Sequence, residues 1–219
     1  WFCREEAEKL LMGPIYTPPS EQGTISQPSP SGGPDWGGGA YDPNSHIMVV
    51  PSNTVPMIVT NTPREKAVIP KPTGEIDMSV GFTFGNKGIP YVTHIKPFLS
   101  PLGAPCSAPP WAKLIAVDLV KKKIVWEVPL GSIEKLAPLP IPWELGTPGV
   151  GSPLVTAGGL AFVGFTLDHK FRAFDIKTGE VLWVGELPAS ANSTPVTYEY
   201  EGEQYIVVPA GGVAKYRDR

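Results

Sequence analysis

The stretch "AFDIKTGEVLW", residues 173–183, reads as a β-strand, a two-residue turn at Thr178-Gly179 and a second strand ending in tryptophan. The same spacing recurs in "AVDLVKKKIVW", residues 116–126: in both, an Asp stands two residues after the Ala and a Trp ten residues after it. A strand pair stamped twice at the same offsets is the mark of a repeat architecture. Each repeated residue has a structural reason. The small Ala permits close approach on an inner strand. The Asp at a strand end can accept backbone N–H bonds in the turn. The Trp, on an outer strand, lays a large flat apolar surface against whatever stacks next to it. Trp126 and Trp183 therefore read as packing residues rather than as a platform for substrate.

Working outward, "KLIAVDL" and "KIVWEVPL" form one hairpin and "PLVTAGGLAFVGFT" another, with Gly158-Gly159 in its turn. "FRAFDI" and "VLWVGEL" make a third, and "PVTYEYEGEQYIVVPA" a last one about Glu201-Gly202. Short strands with tight glycine turns, grouped in fours, suit the antiparallel blades of a β-propeller, with 152–186 as one complete blade. A β-sandwich is the alternative arrangement of such strands. Upstream, "CREEAEKLLM" at 3–12 is the one helix-like segment, stopped by Gly13-Pro14. The predicted layout is a single incomplete propeller domain over 1–219: a helix and Pro/Gly-rich loop over 1–39, strands over 40–62, a long loop excursion over 63–110 and regular blades over 111–219. Within 40–62 the strands are expected near 38–42, 47–50 and 57–60.

Twenty-seven prolines and 24 glycines argue against a helical bundle. A formal net charge of −3 gives no reason to expect nucleic acid or an anionic membrane surface as partner. The lysines at 121–123 read as a solvated turn. No apolar run approaches the roughly 20 residues needed to cross a bilayer, and no signal peptide is visible. The chain opens on "WFCREEAEKLL" without an initiator Met and stops on "YRDR", so it is expected to be a piece of something longer. Cys3 and Cys106 lack metal spacing; either a disulfide in an exported protein or two buried thiols fits them. There is no P-loop, "GNKG" at 85–88 is a turn, and three scattered histidines support no catalytic triad.

"GSPLVTAGGLAFVGFTLDHKFRAFDIKTGEVLW" resembles the late-blade signature of quinoprotein dehydrogenases, which hold pyrroloquinoline quinone inside an eight-bladed propeller. "IYTPPSEQGT", "DWGGGAYDP", "FLSPLGAPCSAPPWAKLIAVDL" and "PVTYEYEGEQYIVVPAGG" are similar to the membrane-bound branch that oxidises glucose, quinate or shikimate and passes electrons to ubiquinone. The resemblance spans nearly the whole chain. It implies an all-β fold, roughly the C-terminal half of such a propeller, on the periplasmic face of the bacterial inner membrane. Membrane contact would come only through parts of the parent absent here. It also implies a divalent cation, Ca²⁺ or Mg²⁺, whose ligands are not assignable in this chain. The family's catalytic Asp and cofactor Lys would lie upstream of Trp1, so no catalytic residue is expected here. The pattern departs after "AGG", where Val213 stands in place of a His and the closing strand is missing.

The same resemblance marks four cofactor-binding candidates. Asp168 in "GFTLDHKF" matches an Asp placed near the quinone, and a buried carboxylate there could hold a Lys or orient a base. Its competing reading is a turn cap, and His169 beside it reads as an exposed turn residue. Asp35 and Trp36 in "DWGGG" offer an indole to pack beside a planar quinone, with glycines that let backbone approach closely. Trp36 has the same alternative as the other tryptophans, packing. Asn53 in "PSNTVP" is the candidate amide for the quinone oxygens, although counting from Asp42-Pro43 puts Pro51 at that place. Two functional readings follow. One is part of a dehydrogenase acting on a sugar or cyclic polyol. The other is a non-catalytic fragment, a periplasmic scaffold or degenerate remnant. In either case raw blade edges are expected to leave the isolated chain inactive and inclined to self-associate.

Overall fold

The computed structural model describes residues 1–70, 80–137 and 141–212, which divide into two compact units. Val213 lies outside the described residues.

One unit comprises residues 1–30 and 55–108. Helix α1 (Phe2–Glu8) is shorter than the pattern over 3–12 suggests. The cause is tertiary. Leu11 gives its N–H to Gly23 O and accepts from Ile25 N, so its backbone is taken by an extended segment instead of a further helical turn. Four strands form the sheet: β1 (Thr24–Ser26), β4 (Met57–Pro63), β5 (Phe82–Phe84) and β6 (Tyr91–Pro97), in the order β1-β4-β6-β5. The expected loop excursion over 63–110 is thus interrupted by two strands. "YVTHIKP" has its only proline at its last position, so nothing prevents it from pairing with β4 along its whole length, from Met57↔Pro97 to Pro63↔Tyr91. The Arg64 guanidinium secures the connection between β5 and β6, donating to Gly85 O and Asn86 O at 2.6 Å each. Cys3 and Cys106 are bridged, with Cα atoms 5.4 Å apart, so the disulfide alternative holds.

The other unit comprises residues 31–54 and 109–212. Its first sheet joins β2 (Ala40–Asp42), β3 (Ile47–Asn53), β7 (Ala112–Asp118) and β8 (Lys123–Pro129) in that order. β3 and β4 are neighbours in sequence but belong to different sheets, because β3 pairs with β7 from Ile47↔Asp118 to Asn53↔Ala112. Burial alternates strictly along both strands, and Val49, Ala112, Leu114 and Ala116 are closed to solvent. The second sheet runs β9 (Leu154–Val155), β10 (Leu160–Val163), β11 (Lys170–Asp175) and β12 (Val181–Glu186), up and down in sequence order. It matches the blade expected over 152–186. β13 (Val196–Tyr200) and β14 (Glu203–Val207) form a hairpin, turned by Glu201 and Gly202 at positive φ.

The repeat survives in the register. Ala116 faces Trp126 and Ala173 faces Trp183, and each pair is followed by a register shift, after Ala116 and after Ala173. The turns are longer than two residues because the aspartates organise them. Asp175 Oδ1 accepts from Lys177 N and Thr178 N at 2.8 Å each, and Asp118 Oδ1 from Val120 N at 3.0 Å and Lys121 N at 2.7 Å. Trp126 reaches the second sheet, donating from Nε1 to Ile176 O at 2.9 Å. Trp183 stands at right angles to the Phe171 ring and stays 52% exposed.

Candidate cofactor site

All four candidate residues lie in the second unit, and loop contacts link them. Asp35 and Trp36 sit on the loop 31–39. That loop is pinned at one end by Asn53 N donating to Gly33 O at 2.8 Å. At the other end Ser152 Oγ donates to Gly37 O. Gly37 has no substitute there: a Cβ would lie 2.6 Å from the carbonyl carbon of Gly151. Asp35 adopts φ +61°, and its Oδ1 accepts the Trp36 N–H at 2.6 Å. This Asx contact turns the Trp36 side chain away from the core, leaving it 73% exposed. Trp36 is therefore not another packing tryptophan within this unit.

Asn53 ends β3 and is buried. Its Nδ2 donates to Gly149 O at 2.9 Å and its Oδ1 accepts from Gly149 N at 3.0 Å. The amide thus clamps the backbone of the segment 146–152, imitating one rung of a sheet. Gly149 in turn bridges Thr166.

Asp168 has no exposed surface. Its Oδ2 accepts from Ser132 N at 2.8 Å and from Arg172 Nη2. Its Oδ1 accepts from Thr166 Oγ1 at 2.6 Å, and from Arg172 Nη1 and Lys170 N at 3.2 Å each. Burial alone would push its pKa up. The Arg172 hydrogen bond and charge, the Thr166 hydroxyl and the Ser132 amide outweigh burial and hold the carboxyl below its ordinary 3.8. As it stands this is a carboxylate held in its ionised form and committed to protein donors. It joins the segment after β8 to the connection between β10 and β11. Such a group sets the shape of its surroundings; it has little capacity left to take a proton from a substrate.

Sequence reading missed two residues. Arg172, 3% exposed, is the partner that keeps Asp168 ionised; the signal was its i+4 spacing, but on a strand that spacing does not advertise contact. Asn192 is the second: its Nδ2 and Oδ1 are both shut off from solvent and have no hydrogen-bond partner among the described residues. No pattern in "SANSTP" foretells an orphaned amide. His169 has φ +60°, as a turn residue would, but is half-buried rather than exposed. Among the described residues no group of three or more His, Cys, Asp or Glu could hold a metal ion.

A flat polar cofactor fits these residues in kind: an exposed indole offers a stacking face, and close-packed glycine backbone surrounds its loop.

The comparisons with known proteins point the same way. The family model described as "PQQ: Glucose/ethanol/alcohol dehydrogenase, beta-propeller domain" matches residues 1–206. The chain is 37% identical over 221 residues to the quinoprotein glucose dehydrogenase of Escherichia coli (strain K12), covering 96% of this chain and 27% of that protein. It is 35% identical to the probable quinate dehydrogenase (quinone) of Xanthomonas campestris pv. juglandis, covering 100% and 28%. A solved europium-containing methanol dehydrogenase superposes with a TM-score of 0.55 at 27% identity, over 86% of this chain and 27% of that one. The chain therefore spans less than a third of the length of these relatives. With one family model covering nearly all of it and four-stranded antiparallel blades in its structure, this chain belongs to the PQQ-type glucose/ethanol/alcohol dehydrogenase β-propeller family.

Proposed function

We propose that this chain is part of a pyrroloquinoline quinone-dependent dehydrogenase that oxidises a sugar or cyclic polyol, glucose, quinate or shikimate, and passes electrons to ubiquinone. The observation that carries the reading is the family match over residues 1–206. When bound, the quinone supplies the electron sink for the alcohol carbon, with Ca²⁺ or Mg²⁺ polarising it. The chain's own residues would hold and orient. Trp36 presents its indole face, Asp35 fixes the turn that exposes it, and Asn53 and Asp168 rigidify the segments behind it. Pre-set geometry of this kind lowers the ordering cost of binding.

We place the working protein on the periplasmic face of the inner membrane. The bridged Cys3–Cys106 pair supports an oxidising compartment. No described helix is long and apolar enough to cross a membrane. The isolated chain is expected to be inactive and to self-associate through its exposed apolar strands. The test is to load the complete polypeptide carrying this sequence with pyrroloquinoline quinone and Ca²⁺ or Mg²⁺. Dye-linked oxidation is then followed with glucose, quinate, shikimate and a primary alcohol. Turnover of a sugar or cyclic polyol together with ubiquinone reduction supports the reading; no cofactor uptake, or turnover of the primary alcohol alone, overturns it.

A further inference from the structure

Within the second unit the two sheets meet unevenly. At one end Trp126 bridges them, its Nε1 donating to Ile176 O and its ring lying against Gly179. Two residues further along β8 the side chain is the short Val128, and there the sheets leave a cavity of about 350 Å³ between them. That size falls at the lower end of the range of ligand pockets, roughly 300–1,000 Å³. β11 turns its alternate residues Lys170, Arg172 and Phe174 to this side. On β12, Val184 lies opposite Arg172 and Val181 opposite Phe174. The register shift after Ala173 brings these two valines, three positions apart, to the same cavity. Both remain half-exposed, an apolar floor left to water. Glu144 joins the lining from the segment that precedes Gly146.

The charged groups of the lining differ in how fully they are used. Arg172 gives Nη1 to Thr166 Oγ1 and Asp168 Oδ1, and Nη2 to Asp168 Oδ2. Lys170 Nζ, on a side chain 18% exposed, gives one of its three N–H bonds to Glu134 Oε2 at 3.2 Å. Glu144 is the least engaged. Among the described residues its carboxylate accepts no hydrogen bond and has only a 3.7 Å ion pair with Arg172 Nη2. Asp168 balances Arg172 and Glu134 balances Lys170, so Glu144 leaves one negative charge over. An anionic ligand would be set against that carboxylate, and a cationic one against Lys170 and Arg172. An uncharged ligand that both donates and accepts meets neither obstacle. Its hydroxyls would donate to Glu144 and accept from Lys170, and both are charge-assisted bonds of the stronger kind.

We propose that this cavity binds an uncharged polyhydroxylated ring, a monosaccharide or a neutral cyclic polyol. The C–H face of the ring covers Val181 and Val184, one hydroxyl donates to Glu144 and another accepts from Lys170 Nζ. Arg172 stays with Asp168 and takes no direct part. The inference stands without the reading under Proposed function, since it uses only the lining of the cavity.

The test titrates the complete polypeptide, free of cofactor, with glucose and with quinate, by calorimetry and saturation-transfer NMR. Glucose is expected to bind with a Kd of about 1 mM, the range a ligand of that size reaches. Quinate, a hydroxylated ring with an added carboxylate, is expected to bind at least about fivefold more weakly. Glu144→Gln should weaken glucose about three- to tenfold while strengthening quinate, a crossing that general loss of structure cannot produce. Val184→Trp should fill the cavity and abolish this binding. Unchanged glucose affinity in a folded Val184→Trp protein places the binding elsewhere and overturns the proposal. A wild type that shows no saturable glucose binding, or binds quinate as well as glucose, overturns it too. If Val184→Trp does not fold, the Glu144→Gln crossing decides alone, and its absence sinks the idea.

Discussion

Trp36 and Asp168 are the two extremes of the candidate site, one largely in solvent and one wholly out of it. Their substitutions should separate binding from stability. Trp36→Ala removes little packing within its unit and should change stability by less than about 0.5 kcal/mol, while weakening cofactor binding at least about tenfold. Parallel denaturation and quenching titrations check this, and a large loss of stability would show that the indole is structural. Asp168→Ala takes from the buried Arg172 its nearest counter-charge, leaving only Glu144 Oε1 at 3.7 Å, and should cost about 3–5 kcal/mol in unfolding free energy. Replacing both residues by apolar ones should cost much less, since the uncompensated charge goes too. Asp168 was legible as a special aspartate from "GFTLDHKF", but its partners were not, because Ser132 and Arg172 meet it only through folding. Asn53 was legible as an amide of interest. That it serves Gly149, 96 residues away, was not.

At the scale of elements, the tryptophan of one blade is the fastener for the next. Trp126 joins β8 to the turn after β11 by its hydrogen bond to Ile176 O, and a Cβ on Gly179 would lie 2.7 Å from its ring. Gly179 also holds φ +76°. Gly179→Ala should therefore be destabilising by about 1–3 kcal/mol, from a strained backbone and a displaced indole together. Trp126→Phe, which keeps much of the apolar surface but loses the N–H, should cost about 1 kcal/mol. A chemical-denaturation series measures both, and a neutral Gly179→Ala would mean that the turn does not depend on this contact. The disulfide acts on the other unit, tying α1 to a residue 103 positions away. Cys3→Ser with Cys106→Ser should lower that unit's stability by about 2–5 kcal/mol, measured against the oxidised protein.

For the whole molecule, the aspartates set a pH dependence. Asp42 is held below 3.8 by the Ser45 hydroxyl and nearby backbone amides, and Asp118 and Asp175 by backbone amides of the turns they cap. Asp168 joins them despite its burial. A carboxylate whose folded pKa is depressed stabilises the fold at any pH above the unfolded value, and that stability drains as pH falls through the folded pKa. Stability should be flat above about pH 5 and drop progressively below about pH 4. Urea midpoints taken across that range check the sign; stability rising on acidification would contradict it. Strand faces bear on association. Val181, Leu182, Trp183 and Val184 on β12, with Val196, Tyr198 and Tyr200 on β13, are all 45–59% exposed. The isolated chain should sediment as more than a monomer, and Leu182→Lys with Trp183→Lys should shift it toward one.

The sequence by itself determined the local devices: the Ala/Asp/Trp offsets, the capped turns, the complete blade from β9 to β12 and the family. These depend on residues close together in the chain, where spacing translates directly into geometry. Only the tertiary structure decided that β3 pairs with β7 while β4 turns to another sheet. It also decided that Cys3 finds Cys106, that Trp126 is docked while Trp183 is bare, and that Asn192 is left without a partner among the described residues. Those outcomes are contacts between residues far apart in sequence, and pairing over such distances is set by which surfaces can be buried together rather than by any pattern a short stretch can carry.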